Sequence, residues 1–333
     1  MPQFFEMHAL DTLFFRGSQP MEAGQLHPDI LFPPPVTVFQ GALRTAYLYQ
    51  HKIDIAKYNA NQVPQSVRDN IGNSGDISPF QIDCILIKKG NILYAPAPYA
   101  WFVDSAEKLF KPTEAEIAQG KTCTYNELEI HKAQVATTNI SFSGSTPKPP
   151  LVRTSNEAQS LGGLWIKLST LLNQPTHLSQ DDLLFPKEIF QQENRIGIGR
   201  NIHTGTVETG QLYSSAHLRL LDDVSLVVGI SKELDINDTG HLHLGGEQRM
   251  VAYTSISNPL KMDAPAIKNP QYFMNLSPIL VDQQVMQKAF CTAKTQQIAG
   301  WDLHRGFHKP SQTWLPAGSV FSSNIQNQCI AIY

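Results

Sequence analysis

Apolar and polar positions alternate imperfectly along Gln3–Leu10, the period-two signature of a half-buried strand, and predict a first β-strand there. A proline run at Phe32–Pro35 breaks the chain. After it the apolar positions Leu43, Ala46 and Tyr47 fall at helical spacing, so Val38–Gln50 is predicted as a helix with Thr37 as its cap. Gly41 inside that helix costs about 1 kcal/mol against alanine. It marks either a close approach by backbone or ligand, or a later helix start. Residues 59–78 are rich in Asn, Gln, Ser and Gly and read as a loop. Phe80–Lys88 and Ile92–Tyr94 flank Lys89-Gly90-Asn91 and predict a hairpin. Thr137–Asn156 reads as a long exposed loop, and Glu157–Leu172 as a helix weakened by Gly162 and Gly163.

The second half is richer in strand patterns. Val224–Ile230 reads as a buried-type strand, and Arg249–Ser255, Tyr272–Leu276, Ile298–Leu303 and Val320–Phe321 are further predicted strands. Ser277-Pro278 has helix-start chemistry, placing a helix over about Ile279–Phe290. Strand–helix–strand groupings recur in both halves. They predict an α+β protein of two ferredoxin-like units packed together with long loop insertions, residues 1–190 and 191–333.

Composition narrows the class. Of 333 residues, 41% are hydrophobic and 17% charged, enough for a core and unlike a disordered chain. The net charge of −3 argues against free-standing nucleic-acid binding and leaves room for a local basic groove. Four scattered cysteines form no CxxC pair and suit a reducing compartment. The acidic start lacks a signal-peptide pattern, and no apolar run reaches the ~18 residues of a membrane span. A cytoplasmic protein is expected.

The usual catalytic patterns fail in their details. RIGIGRNIHTG, residues 195–205, has Gly197 and Gly199 but lacks the third glycine of a dinucleotide fingerprint and the Lys-Ser/Thr pair of a phosphate loop. A nucleotide-binding enzyme is therefore disfavoured. His304 and His308 have metal spacing without the acidic partner of HExxH, so no metal site and no cofactor are expected. What recurs instead is glycine beside arginine: Arg16 with Gly17, Gly41 with Arg44, Arg195 with Gly197, Gly199 and Arg200, and Gly245 and Gly246 with Arg249. Glycine admits close backbone approach, and arginine offers a planar fork for phosphate and a face for bases. Asn201, His203 and Thr204 follow the densest cluster as hydrogen-bonding candidates. Arg305 and Lys309 are weaker ones. Turns and bulges carrying solvated arginines are the bland alternative.

LDTLFFR (Leu10–Arg16), FPPPVTVFQGALRTA (Phe32–Ala46), RIGIGRNIHTGTVETGQLYSSAHLRL (Arg195–Leu220), LGGEQRM (Leu244–Met250), SPIL (Ser277–Leu280), GWDL (Gly300–Leu303) and PAGSVF (Pro316–Phe321) occur in this order. Together they resemble the third subunit of the Cmr complex of type III-B CRISPR systems, within the RAMP superfamily. The resemblance implies a non-catalytic, RRM-like RAMP scaffold that binds the 5′ tag of the guide RNA. It implies contact with the large polymerase-like subunit and the backbone RAMP subunit, and indirect engagement of target RNA. The competing reading is a metal-independent RAMP endoribonuclease that cuts guide precursor, for which eleven histidines supply candidates.

Overall fold

The computed structural model describes residues 2–15, 30–76, 78–104, 109–135, 150–154, 157–200, 203–261, 267, 269–302, 307–325 and 329–333. Its centre is an eight-stranded antiparallel sheet. The strands are β1 (Gln3–Ala9), β2 (Ile82–Lys89), β3 (Ile92–Pro96), β4 (Trp165–Lys167), β5 (Leu183–Leu184), β8 (Val224–Ile230), β9 (Thr239–His243) and β10 (Met250–Ile256). They lie in the order β5-β4-β3-β2-β8-β1-β10-β9. Among the smaller sheets, β6 (Phe190–Arg200) and β7 (Val207–Leu220) form a separate two-stranded ribbon. Strands from both sides of residue 190 share the central sheet.

The centre of the sheet is buried on both faces, which explains its sequence. On one face Phe5, Met7, Ile85, Ile87, Leu226 and Val228 pack with Phe39, Leu43 and Tyr47 of α1 (Val36–Gln50). On the other, Phe4, Cys84, Leu86 and Val227 pack with Trp101, Tyr272, Met274 and Val320. A strand covered on both sides favours apolar residues throughout, and all of β8 is buried, its one polar side chain, Ser225, bonded to Glu6 at 2.9 Å. The hairpin at Lys89-Gly90-Asn91 forms as expected, with Gly90 at φ 56°.

Several sequence expectations are corrected. Helix α1 begins at Val36 directly after Pro35, with no side-chain cap, and Thr37 lies inside its first turn. A proline suits that entry because its missing N–H would be unbonded there anyway. The polar stretch 59–78 contains a helix, Gln65–Ile71, anchored by buried Val67 and Ile71 four residues apart. The helix expected over 157–172 is confined to Leu168–Leu172. Its predicted first half is strand Ala158–Ser160 and β4, because the Tyr99 ring occupies the space beside Gly162 and Gly163 turns at φ 91°. Ser277 starts no helix: its hydroxyl donates to the Ile82 carbonyl at 2.8 Å, and the helix Gln283–Lys288 is capped by Asp282 instead. The expected strand 298–303 is two shorter ones, Gln296–Ile298 and Trp301–Asp302. Most of the loop predicted at 137–156 lies outside the described residues. No helix among the described residues is long and apolar enough to cross a membrane.

Candidate nucleic-acid interface

The RIGIG stretch is not a phosphate loop. It runs as strand β6, paired residue by residue with β7: Glu193 opposite His217, Arg195 opposite Ser215, Gly197 opposite Tyr213. Strand alternation puts Glu193, Arg195, Gly197 and Gly199 on one face of the ribbon. Ile196 and Ile198 take the other, 72% and 41% exposed. An irregularity between Ile198 and Arg200 ends the regular register. His203 and Thr204 sit exposed at the turn, where the Thr204 and Thr206 hydroxyls are 2.7 Å apart and Gly205 adopts φ 67°.

The base of the ribbon is gripped by the segment after β1. The Leu13 N–H donates to the Leu218 carbonyl at 2.7 Å and Leu218 returns the bond at 2.8 Å. On the far side the Gly246 N–H donates to the Phe14 carbonyl at 2.9 Å. A Cβ on Gly245, which sits at φ 87°, would come within 2.4 Å of that carbonyl. The close approach that these glycines permit is therefore to the chain's own backbone.

Around this junction three arginines interlock with three carboxylates. Arg195 donates to Glu193 at 2.6 Å and to the Thr12 hydroxyl at 3.1 Å. Arg219 bridges Glu193 at 2.8 Å and Asp11 at 3.3 Å. Arg249 bonds Asp11 at 2.6 Å and Glu247 at 3.0 Å. Hydrogen bonds from Arg195 and Arg219 hold the Glu193 carboxyl below its ordinary pKa. The Thr12 backbone N–H, then the charges of Arg249, Arg219 and Arg195, do the same for Asp11. Beneath them His217 is fully buried, stacked on Phe14 with ring centres 5.0 Å apart and its Nδ1 3.3 Å from the Thr12 hydroxyl. Burial lowers its pKa despite Glu247 nearby, so the ring is neutral at pH 7. The lattice is charge-balanced. A phosphate approaching these arginines therefore also meets the charge of the three carboxylates.

The fold thus brings Arg195, Gly245, Gly246 and Arg249 together with LDTLFF, three of the motifs singled out in the sequence. Gly41 and Arg44 lie elsewhere, on α1. Gly41 is exposed with open space where a Cβ would be, so no protein backbone approaches it. Arg44 is half-buried, donates to the Asp76 carbonyl at 3.1 Å, and has its pKa lowered by burial. Lys309 is exposed and its N–H bonds the Gly300 carbonyl at 2.8 Å. Arg16, Asn201 and Arg305, and the side chain of Arg200, lie outside the described residues. Sequence reading passed over Asp11, Thr12, Glu193, His217, Arg219 and Glu247. The only trace of them was the charged alternation Glu193-x-Arg195 and His217-x-Arg219, whose meaning depends on the two strands facing each other.

Among the described residues no cluster of His, Cys, Asp or Glu could hold a metal ion. Burial pushes the Cys84 and Cys291 thiols up to about 12.

In structure the chain is similar to a chain of the type III-B Cmr-beta complex solved by cryo-EM with cognate target RNA and AMPPnP, at TM-score 0.51 and 16% identity, covering 96% of this chain and 85% of that one. It is similar to a chain of the same complex bound to cognate target RNA at TM-score 0.51 and 15% identity, covering 96% and 86%. At such identities the likeness speaks for the fold. No curated protein sequence matches the chain. Residues 5–271 match the family described as CRISPR-associated protein (Cas_Cmr3). That match spans most of the chain, including the ribbon and both glycine motifs at its base, and the chain belongs to the CRISPR-associated Cas_Cmr3 family.

Proposed function

We propose that the protein is a non-catalytic subunit of a type III-B CRISPR effector complex, binding the 5′ tag of the guide RNA and bridging the large polymerase-like subunit to the backbone RAMP subunit. The observation that carries this reading is the convergence of LDTLFF, RIGIG and LGGEQRM on one ribbon base in a chain of the Cas_Cmr3 family. A two-stranded ribbon braced at its root can present Arg195, His203 and Thr204 to a single RNA strand, and Arg200 and Asn201 are proposed as further contacts. The arginines position the backbone, and the turn residues reach base edges. Arg16, Arg44, Arg249, Arg305 and Lys309 are further contacts on this reading, with target RNA engaged only through the guide. The architecture is read as two ferredoxin-like units divided near residue 190. On this reading the two units share the central sheet, which takes β1–β5 from before residue 190 and β8–β10 from after it.

The test is guide-RNA retention by the Arg195→Ala/Arg200→Ala variant at two salt concentrations. Each lost phosphate contact lowers the log–log salt slope by about 0.7 for single-stranded RNA. Unchanged retention and slope would remove the ribbon from the interface. Metal-free cleavage of repeat RNA, blocked by a 2′-deoxy substitution, would favour the endoribonuclease reading.

A further inference from the structure

Strand β9 is the last strand of the central sheet among the described residues, and beside it lies a groove that the function proposed above does not use. The groove encloses roughly 190 Å³ between β9 and α1. The helix contributes Ala42, Thr45, Ala46 and Tyr49, and the sheet His241, Leu242, His243 and Met250. The helix is narrow where it faces the strand, because Ala42, Thr45 and Ala46 are small. Tyr49, 63% exposed, and Met250, 37% exposed, leave apolar surface at the rim.

The backbone of β9 explains what such a groove can take. Ser255 donates to the Asp238 carbonyl at 2.6 Å and Leu244 to the Arg249 carbonyl at 2.8 Å, one bonded pair at each end of the β9–β10 ladder. Antiparallel ladders alternate bonded and non-bonded pairs. With the unbroken register from Thr239 opposite Thr254 to His243 opposite Met250, the bonded residues of β9 are Gly240 and Leu242. The bond from the Leu10 N–H to the Met250 carbonyl, on the far side of β10, has the same phase. Thr239, His241 and His243 therefore aim their N–H and C=O groups outward, and all three residues are exposed. Edge strands are usually blunted by lysine, proline, inward charge or a bulge. Thr239–His243 has none of these.

We propose that β9 is a docking edge for an extended segment of a partner protein, which adds as a ninth strand and lays alternate apolar side chains into the groove against Ala42, Thr45 and Ala46. The occupant follows from the chemistry. Donors and acceptors alternate along the edge at strand spacing, which another peptide backbone matches group for group. A sugar–phosphate backbone offers mostly acceptors, with donors only at its 2′-hydroxyls, and so does not match this alternation, and no lysine or arginine is among the residues that line the groove. The inference rests on the chain working inside a multisubunit complex.

Amide deuterium exchange at Thr239, His241 and His243 tests it, read in the isolated chain, in the assembled ribonucleoprotein, and after ribonuclease treatment of the latter. The expected result is fast exchange in the isolated chain and slowing by about tenfold or more in the complex, the scale of one added hydrogen bond, persisting after ribonuclease. His241→Pro removes one outward N–H and no bond of the chain's own sheet. It should keep the thermal midpoint of the parent and lose the protection at Thr239 and His243. Thr45→Trp, which fills the groove from the helix and leaves the sequence of the strand unchanged, should lose the same protection even if the proline variant folds poorly. Four outcomes overturn the proposal. These are amides already slow in the isolated chain, which means the chain covers its own edge; slowing that rises with the concentration of the isolated chain, which means a second copy; slowing abolished by ribonuclease, which means RNA; and an assembled complex with fast amides. A chain that joins no other subunit overturns the complex reading as well, which sets that failure apart from an assembled complex with an open edge.

Discussion

Two carboxylates of the central sheet, on the strands either side of β8, show how much the local partner decides. Burial works against the charged form of Glu6, but bonds from Lys88 at 2.7 Å and Ser225 at 2.9 Å, with the charges of Lys88 and His8, outweigh it and hold its pKa below the ordinary value. Its contribution to stability is present above the unfolded-state pKa and is lost as pH falls through the lower folded value. Asp83 has the same burial problem without the remedy. Its Oδ1 is buried with no hydrogen-bond partner, and desolvation raises its pKa to about 6. The sign is opposite: the folded state binds the proton more tightly, so stability declines as pH rises from about 4 to about 6 and stays lower above. Asp83→Asn should therefore raise stability at pH 8 by about 1 kcal/mol, a figure reduced from the full shift because part of the group reaches water. It should also flatten the pH 4–6 dependence of the thermal midpoint. A midpoint at pH 8 equal to or below the parent's would show that Asp83 finds a partner in solution.

At the scale of elements, the ribbon β6–β7 is held to the sheet by backbone bonds at Leu13, Leu218 and Gly246, with the Arg–carboxylate lattice around them. The arginines and carboxylates of the lattice are mostly about a third to a half exposed, so each pair contributes little by itself. The steric fit at Gly245 matters more. Alanine there must hold a left-handed backbone and press its methyl against the Phe14 carbonyl. Gly245→Ala should cost about 1–3 kcal/mol. It should also raise protease cleavage within 190–220 before the core of β1, β2 and β8 unfolds. Cleavage at the parental rate would mean that the ribbon is braced from elsewhere. The sequence showed that these glycines sit where something comes close. It could not show that the visitor is Phe14, because that contact joins positions more than 200 residues apart.

For the whole molecule, the net charge of −3 and the balanced lattice predict a weak grip on RNA by the isolated chain. Its salt slope should correspond to only a few phosphates, at about 0.7 each for single strands, and should steepen in the complex where other subunits share the strand. A steep slope in the isolated chain would mean a basic groove among residues that the structure does not describe.

What the sequence determined by itself was local or collective. The buried-type strand Val224–Ile230, the turn at Gly90 and the recurrence of glycine beside arginine all depend on neighbours along the chain, and the ordered motifs pointed to the family. Only the tertiary structure decided that RIGIG is a strand, that Asp11, Glu193 and Glu247 pair with Arg195, Arg219 and Arg249, and that β9 is the last strand of the sheet among the described residues. Each of these is a pairing between strands distant in sequence. Strand register is set by which faces the whole fold buries, and no single stretch of the chain carries that information.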